Sequence, residues 1–383
     1  MIYLNQAASS WPKPTCVLET HRSALSAVPA GQFRGGASLE EMDVMEACRK
    51  KLGALLGIAD FGRILFSSGA TDAANAVICG LPLQGRRVLA TQTEHNSILR
   101  PLMNHKDRVG RVDIVPCDEA GWVDPEKVES MLDADTAAVF VNHCSNVTGM
   151  IQDICVLADI AHRHGALLVL DAAQSAGCIP VNADAWSVDA LIFTGHKSLF
   201  GPQGTGGYYV RKGIPFLPYR YGGTGRDSRR LTYEAGDYEF EPGTQNLPGI
   251  AALKAGVEFV LEEGVEQIAR QEQALMKRLR EGLDAIEGVH LYGGAKKSGP
   301  VLSFTLDGLK PADAAYILEG GYGIRVRAGL HCAPLIHSAM GTDGFGTIRA
   351  SVSVLNTDRD VDCLISAVRE IAGSLERAYE DHR

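Results

Sequence analysis

The sequence predicts an α/β fold: a mostly parallel, seven-stranded sheet covered by helices on both faces, followed by a smaller α+β region. Three observations carry this. Between residues 63 and 210, short apolar runs alternate with stretches of helical period. Those runs are apolar throughout rather than every second residue, as expected of strands buried on both faces. After Tyr209 the alternation gives way to a long irregular stretch and then to a second, different pattern.

Residues 1–14 read as a short strand and a loop broken by Pro12 and Pro14. Residues 32–38 read as a loop ending in Ser38, which with Glu41 forms a capping box for a helix that stops at Gly57. Strands are expected at 63–67, 87–91, 112–117, 137–142, 167–170, 190–194 and 207–210. Helices are expected at 70–81, 125–132 (capped by Asp124) and 153–164 (ended by Gly165). Residues 213–247, rich in Gly, Pro, Tyr, Arg and Glu, have no sustained period, and so long an irregular stretch is usually functional. A helical region over 248–286 breaks near Gly264. It is followed by strands at 289–292 and 300–305, a helix at 311–318, strands at 324–327 and 347–352, and a closing helix from Asp358. The division expected is a large unit over 15–250 and a small one made of 1–14 and 251–383.

A chain of 383 residues, 45% hydrophobic, has ample core for two such units. Its net charge of −9 argues against a nucleic-acid-binding surface. Nine scattered cysteines without a C-x-x-C pair encode neither a disulfide framework nor a metal site, and fit a reducing, cytoplasmic compartment. The first residues lack the pattern of a signal peptide, and no apolar stretch approaches a membrane span.

The chemistry centres on Phe193-Thr194-Gly195-His196-Lys197, where a lysine is set between an apolar strand and a glycine-rich turn. An amine so placed can be positioned and partly desolvated, as a Schiff base to pyridoxal phosphate requires; an exposed loop lysine is the ordinary alternative. The turn Ser67-Ser68-Gly69-Ala70-Thr71-Asp72 opens a helix, and its N–H groups with the Thr71 hydroxyl can cradle a phosphate. His95 follows the next strand, where it can stack on an aromatic ring or simply be a solvated loop residue. Asp171 ends a wholly apolar strand, a costly place for a carboxylate without a partner. A protonated pyridine nitrogen is such a partner, with Gln174 near the ring oxygen; a helix cap or a metal ligand is the alternative reading. Of the nine cysteines, Cys332 stands apart, in a loop beside His331, with His337 five residues on and Arg327 and Arg349 either side. The thiolate is the attacking form, and cationic neighbours favour it.

Asp171-Ala172-Ala173-Gln174, with Thr194-Gly195-His196-Lys197 following, resembles the class V aminotransferase group of fold-type I pyridoxal-phosphate enzymes. Within it, the group II cysteine desulfurases and selenocysteine lyases are the most similar. Further motifs extend the likeness almost end to end: Tyr3-Leu4-Asn5-Gln6-Ala7-Ala8, Glu94-His95-Asn96, Ser145-Asn146-Val147-Thr148-Gly149, Gly243-Thr244-Gln245-Asn246 and Arg325 to Pro334. The resemblance implies that Lys197 holds the cofactor, that Asp171 pairs with its ring nitrogen, that Gln174 meets its ring oxygen and that His95 stacks on the ring. It assigns Ala70, Thr71, Thr194 and His196 to the phosphate, and Thr244 to the phosphate of a neighbouring subunit. Asn146 and Arg349 would hold the substrate carboxylate, Arg327 would be a second active-site arginine, and Cys332 would carry sulfur as a persulfide. A homodimer is implied, with Arg34 and Thr244 completing the partner's site, and with a small thiol or an acceptor protein receiving the sulfur. Selenocysteine cleavage and transamination of another amino acid are the alternatives. Two departures stand out: Asn5-Gln6-Ala7-Ala8-Ser9 where Asp-Asn-Ala-Ala-Thr is frequent, and Gln245-Asn246-Leu247 where Pro-Asn-Thr is usual.

Overall fold

A computed structural model describes residues 1–27, 39–105, 107–223, 229–232, 241–294 and 297–380. The chain opens with β1 (Ile2–Tyr3), α1 (Thr15–Ser26) and α2 (Leu39–Leu56). Then come β2 (Ile64–Ser67), α3 (Ala70–Gly80), β3 (Arg87–Thr91), α4 (Asn96–Asn104), β4 (Arg111–Val115) and α5 (Pro125–Met131). They are followed by β5 (Thr136–Asn142), α6 (Ile154–Arg163), β6 (Leu167–Asp171), β7 (Ala190–Thr194) and β8 (Gly206–Val210). The second half comprises α7 (Leu247–Glu263), α8 (Val265–Asp284), β9 (Val289–Tyr292), β10 (Val301–Leu306), α9 (Pro311–Tyr322) and β11 (Ile324–Arg325). It closes with β12 (Arg327–Gly329), α10 (Pro334–Met340), β13 (Thr347–Ser351) and α11 (Asp358–Glu380).

Strands β2 to β8 form one seven-stranded sheet in the order β2-β8-β7-β6-β5-β3-β4. Every neighbouring pair is parallel except those made by β8. The apolar runs are continuous because both faces are covered. On β5 and β7, Val139, Val141, Leu191 and Phe193 enter one core, and Ala138, Phe140, Ala190 and Ile192 the other. All six strands other than β8 therefore end at the same edge, and Ser67, Thr91, Asn142, Asp171 and Thr194 are the residues at five of those ends.

The later strands form a separate antiparallel sheet, β12-β13-β10-β9, and β1 pairs with β11. Leu4 from the chain start packs there with Leu279, Phe304, Ile348 and Leu364. Helix α8 is shared. Ile268 near its start lies in the large-sheet core, whereas Leu275, Leu279 and Leu283 lie in the small one.

Three features differ from the sequence reading. The strand expected at 324–327 is two strands, because the chain leaves β1 at Arg325 and joins β13 from Arg327. Helices α1 and α4 fall in stretches to which no element was assigned, and α10 in one read as loop; α4 carries Pro101 inside it. The expected division at 250/251 falls inside α7, whose Ile250, Leu253, Val257 and Val260 all pack in the large-sheet core. The capping residue Ser38 and the loop residue Arg34 lie outside the described residues. No described helix is long and apolar enough to cross a membrane.

Gly206 shows how tightly the strand ends are joined. A Cβ there would lie 2.7 Å from the Gly69 Cα and 2.9 Å from the Phe193 carbonyl oxygen. Gly206→Ala must push β8 away from the turn that opens α3. A stability loss of about 1–3 kcal/mol follows from such overpacking. Chemical denaturation checks it, and an unchanged midpoint would contradict the packing described.

Candidate active site

The strand ends converge on a cavity of about 410 Å³. Ala70, Thr71, His95, Asn146, Asp171, Gln174, Thr194, His196 and Lys197 line it from the large-sheet side, and Arg327 and Arg349 from the small sheet. Eleven of the residues singled out from the sequence thus meet in one place. Thr244 does not; it lines an adjoining cavity of about 160 Å³, which shares Ser68, Asp72 and Gly204 with the first. Cys332 is not in the cavity wall, but Arg327, which is, donates from Nη2 to its Sγ at 3.2 Å.

Lys197 sits in the turn after β7. The turn is held from behind by the chain's first residues: the Ser10 N–H donates to the His196 carbonyl at 3.0 Å, and the Ser10 hydroxyl to the Lys197 carbonyl at 2.9 Å. Burial pushes the Lys197 amine down to about 8; Asp171 opposes the shift, and Arg349 and Arg327 add to it. Asp171 is only 3% exposed, and its Oδ1 accepts from the Ala173 N–H at 2.8 Å. Burial raises its pKa against that hydrogen bond and the Lys197 charge. The Gln174 amide already donates to the Ala7 carbonyl at 3.1 Å. Glu94, fully buried, accepts from the Thr91 hydroxyl at 2.7 Å while its other oxygen has no partner. Burial, with Asp171 nearby, pushes it up to about 8, so it holds a proton at neutral pH.

At the far side of the cavity α3 begins at Gly69, whose φ is 144° and which supplies no side-chain cap. The first N–H groups of a helix lack partners within it and favour anions. The buried Thr194 Oγ1 and His196 Nδ1 likewise have no partner. Open N–H groups, a hydroxyl and an imidazole around one point suit a phosphate. A buried carboxylate and an amine of lowered pKa deeper in the cavity suit a protonated ring nitrogen and an aldehyde. The residues present fit the cofactor expected from the sequence.

Arg349 is 1% exposed. Its Nη1 donates to the Asn146 carbonyl and its Nη2 to the Asn5 Oδ1, both at 3.0 Å, while Nε has no partner. Burial, with Arg327 close by, pushes its pKa down to about 9. Among the described residues neither arginine has a carboxylate at ion-pair distance, so this corner is built for an anion brought from outside. Asn146 also ties down the cysteine loop, donating from Nδ2 to the His331 carbonyl at 2.7 Å.

The loop turns sharply: His331 and Cys332 have φ of 51° and 60°. The Asn96 N–H donates to the Cys332 carbonyl at 2.7 Å, pinning the half-buried cysteine against the start of α4. The two histidines expected beside the thiol do not charge it. His331 is buried, bonds through Nε2 to the Thr347 carbonyl, and is pushed down to about 2 by burial and by Arg349 and Arg327. Burial also lowers the pKa of His337. The cation at the sulfur is Arg327.

Sequence reasoning did not find Ser97 or the part played by Asn5 and Glu94. Asn5 stands 344 residues from Arg349, and nothing local signals their contact. Glu94 and Asn5 were visible only as letters inside family motifs.

The aminotransferase class-V family model matches residues 2–364. A probable cysteine desulfurase of Methanothermobacter thermautotrophicus is 34% identical over 97% of this chain and 95% of its own length. A cysteine desulfurase of Escherichia coli O157:H7 is 30% identical over 97% and 93%. Among solved structures, the apo cysteine desulfurase of Thermococcus onnurineus NA1 superposes with a TM-score of 0.90 at 33% identity, covering 97% of this chain and 95% of that one.

The free Lys197 amine has a stability consequence. Its folded-state pKa, about 8, lies below the ordinary 10.5. Between those values the unfolded chain binds the extra proton, so stability rises with pH across the window. The gain is at most about 3 kcal/mol. It is read by comparing urea denaturation of the cofactor-free protein with that of Lys197→Met at pH 7.5 and 10. Equal pH dependence in the two proteins would show that Lys197 is not desolvated.

Proposed function

The chain belongs to the class-V aminotransferase family, and from that premise we propose that it is a pyridoxal-phosphate-dependent cysteine desulfurase, which converts L-cysteine to L-alanine with a persulfide formed on Cys332. The observation that carries this is the Cys332–Arg327 contact at 3.2 Å: one guanidinium both lines the cavity and donates to the half-buried thiol. An enzyme that only moves amino groups has no use for that thiol.

Bound pyridoxal phosphate supplies the electron sink that makes a proton on the substrate Cα removable. Lys197 would hold its aldehyde carbon, Asp171 its ring nitrogen proton and Gln174 its ring oxygen, with His95 against the ring face. The N–H of Ala70, the hydroxyls of Thr71 and Thr194 and the imidazole of His196 would hold the phosphate. Arg349 and Asn146 take the substrate carboxylate. Arg349 suits this because its guanidinium is fully desolvated yet lacks a counter-ion, and its fork matches a carboxylate. The amine of Lys197, of lowered pKa, moves the Cα proton.

Cys332, as the thiolate beside Arg327, attacks the substrate sulfur. A sulfur–sulfur bond forms, the carbon–sulfur bond breaks, and its electron pair stays on the three-carbon fragment, which is protonated and leaves as alanine. The balance is cysteine plus enzyme thiol giving alanine plus enzyme persulfide, without an external oxidant. The persulfide at the cavity edge is then within reach of a small thiol or an acceptor protein in the cytoplasm. Thr244, expected to reach the phosphate of a neighbouring subunit, lies outside this chain's own cavity, an arrangement that fits a homodimer with shared sites.

Two outcomes test this reading. Cys332→Ala should lose at least about 100-fold in alanine formation from cysteine, and alkylation after a single turnover should label Cys332 in the unmodified protein. A persulfide mapped to another cysteine, with full activity in the variant, ends the assignment. Mixing Lys197→Ala chains with Thr244→Ala chains should restore part of the activity by forming hybrid dimers; no recovery after proven subunit exchange excludes shared sites.

A further inference from the structure

His95 begins α4 as its cap residue, with φ −76° and ψ 155°. Its Nδ1 accepts the backbone N–H of Ser97 at 3.0 Å and lies 2.9 Å from the Ser97 hydroxyl. A backbone N–H can only donate, so Nδ1 must present a lone pair to it. The hydroxyl, facing the same bare nitrogen, must then turn its own hydrogen inward as well. Two donors from one residue converge on a single lone pair, at the positive end of a nine-residue helix. The one proton of a neutral imidazole is left on Nε2, the nitrogen that remains for the cavity His95 lines.

We propose that Ser97 is a positioning residue that fixes His95 in the Nε2–H tautomer, so that His95 meets the reacting groups as a hydrogen-bond donor and never as a base. The charges around the imidazole keep it neutral. Lys197 from the β7 turn, Arg327 and Arg349 from the small sheet and Arg100 from α4 are all cations, and together with burial, the largest influence, they push it down to about 3. Removal of a substrate proton then falls to Lys197 alone. The meaning for catalysis rests on the function proposed above; the tautomer itself does not.

The experiment is nitrogen-15 NMR of the imidazole side chains in histidine-labelled protein as purified, with His95→Phe used to assign the His95 pair. The result expected is a proton-bearing Nε2 and a bare, strongly hydrogen-bonded Nδ1, unchanged between pH 6 and 9. Ser97→Ala keeps the N–H and loses the hydroxyl, so its Nδ1 resonance should move toward the value of a free lone pair. Its kcat should fall roughly tenfold with KM little changed, since acid–base groups are sensitive to placement, and Ser97→Thr should restore both. Ser97→Pro removes the N–H as well. This is the second helical residue, whose N–H takes no part in the helix ladder, so helix α4 can keep its bonds; the Nδ1–H tautomer should then appear. A proton on Nδ1 in the unmodified protein overturns the proposal, as does an unmoved Nδ1 resonance in Ser97→Ala or a moved one with kcat unaltered. Absence of any desulfurase activity with the tautomer as stated would instead remove the functional reading and leave the tautomer standing.

Discussion

The interaction on which the molecule turns is a carboxylate buried with too few donors. Asp171 ends an apolar strand inside a parallel sheet and receives one protein N–H. Burying such a charge is tolerable only with a cation close by. Within the chain the nearest answer is the Lys197 amine, itself held below its ordinary pKa by the same burial. The register of the sheet makes the pairing possible: Asp171 lies opposite Ile192, two residues before the end of β7, and the turn after β7 brings Lys197 near enough for the two charges to act on each other. Each group is left partly unsatisfied by the other, which is the condition under which both are ready to accept a ligand with a protonated ring nitrogen and a reactive carbonyl.

The remaining charges follow from that pair. Every histidine close to the cavity is held neutral: His95, His196 and His331 all lie well below their ordinary pKa, chiefly through burial. The positive charge of the site therefore rests on Arg327, Arg349 and, below its lowered pKa of about 8, Lys197. Glu94 is silent for the opposite reason, as a carboxyl that keeps its proton beside Asp171.

The large sheet was readable in the sequence because its central strands, covered on both faces, need only an unbroken apolar run; all seven strands were found, the partly exposed edge strand β4 with its Asp113 included. What escaped was set by contacts distant in the chain or by backbone geometry. Helix α4 was hidden by Pro101, and α1 by the prolines that precede it. The split of 324–327 depends on which neighbours Ile324 and Arg327 find, β1 and β13, and neither is local. The site residues were legible as types at strand ends; their partners were not. That Arg349 would rest on Asn5, or that Arg327 rather than a histidine would touch Cys332, depends on the small sheet folding against the large one. The left-handed backbone at His331 and Cys332 had no signal either, since neither residue is glycine.

The opening segment of the chain joins both halves of the site. Its first residues pair with β11, Asn5 holds Arg349, and the Ala7 N–H donates to the Ser351 hydroxyl at 2.9 Å. A few residues later Ser10 grips the carbonyls on both sides of the His196–Lys197 peptide link. The segment is thus a short connecting rod between the Arg349 guanidinium and the backbone that carries Lys197. A displacement of the small sheet at Arg349 would therefore reach the lysine's own backbone through main-chain links of fewer than ten residues.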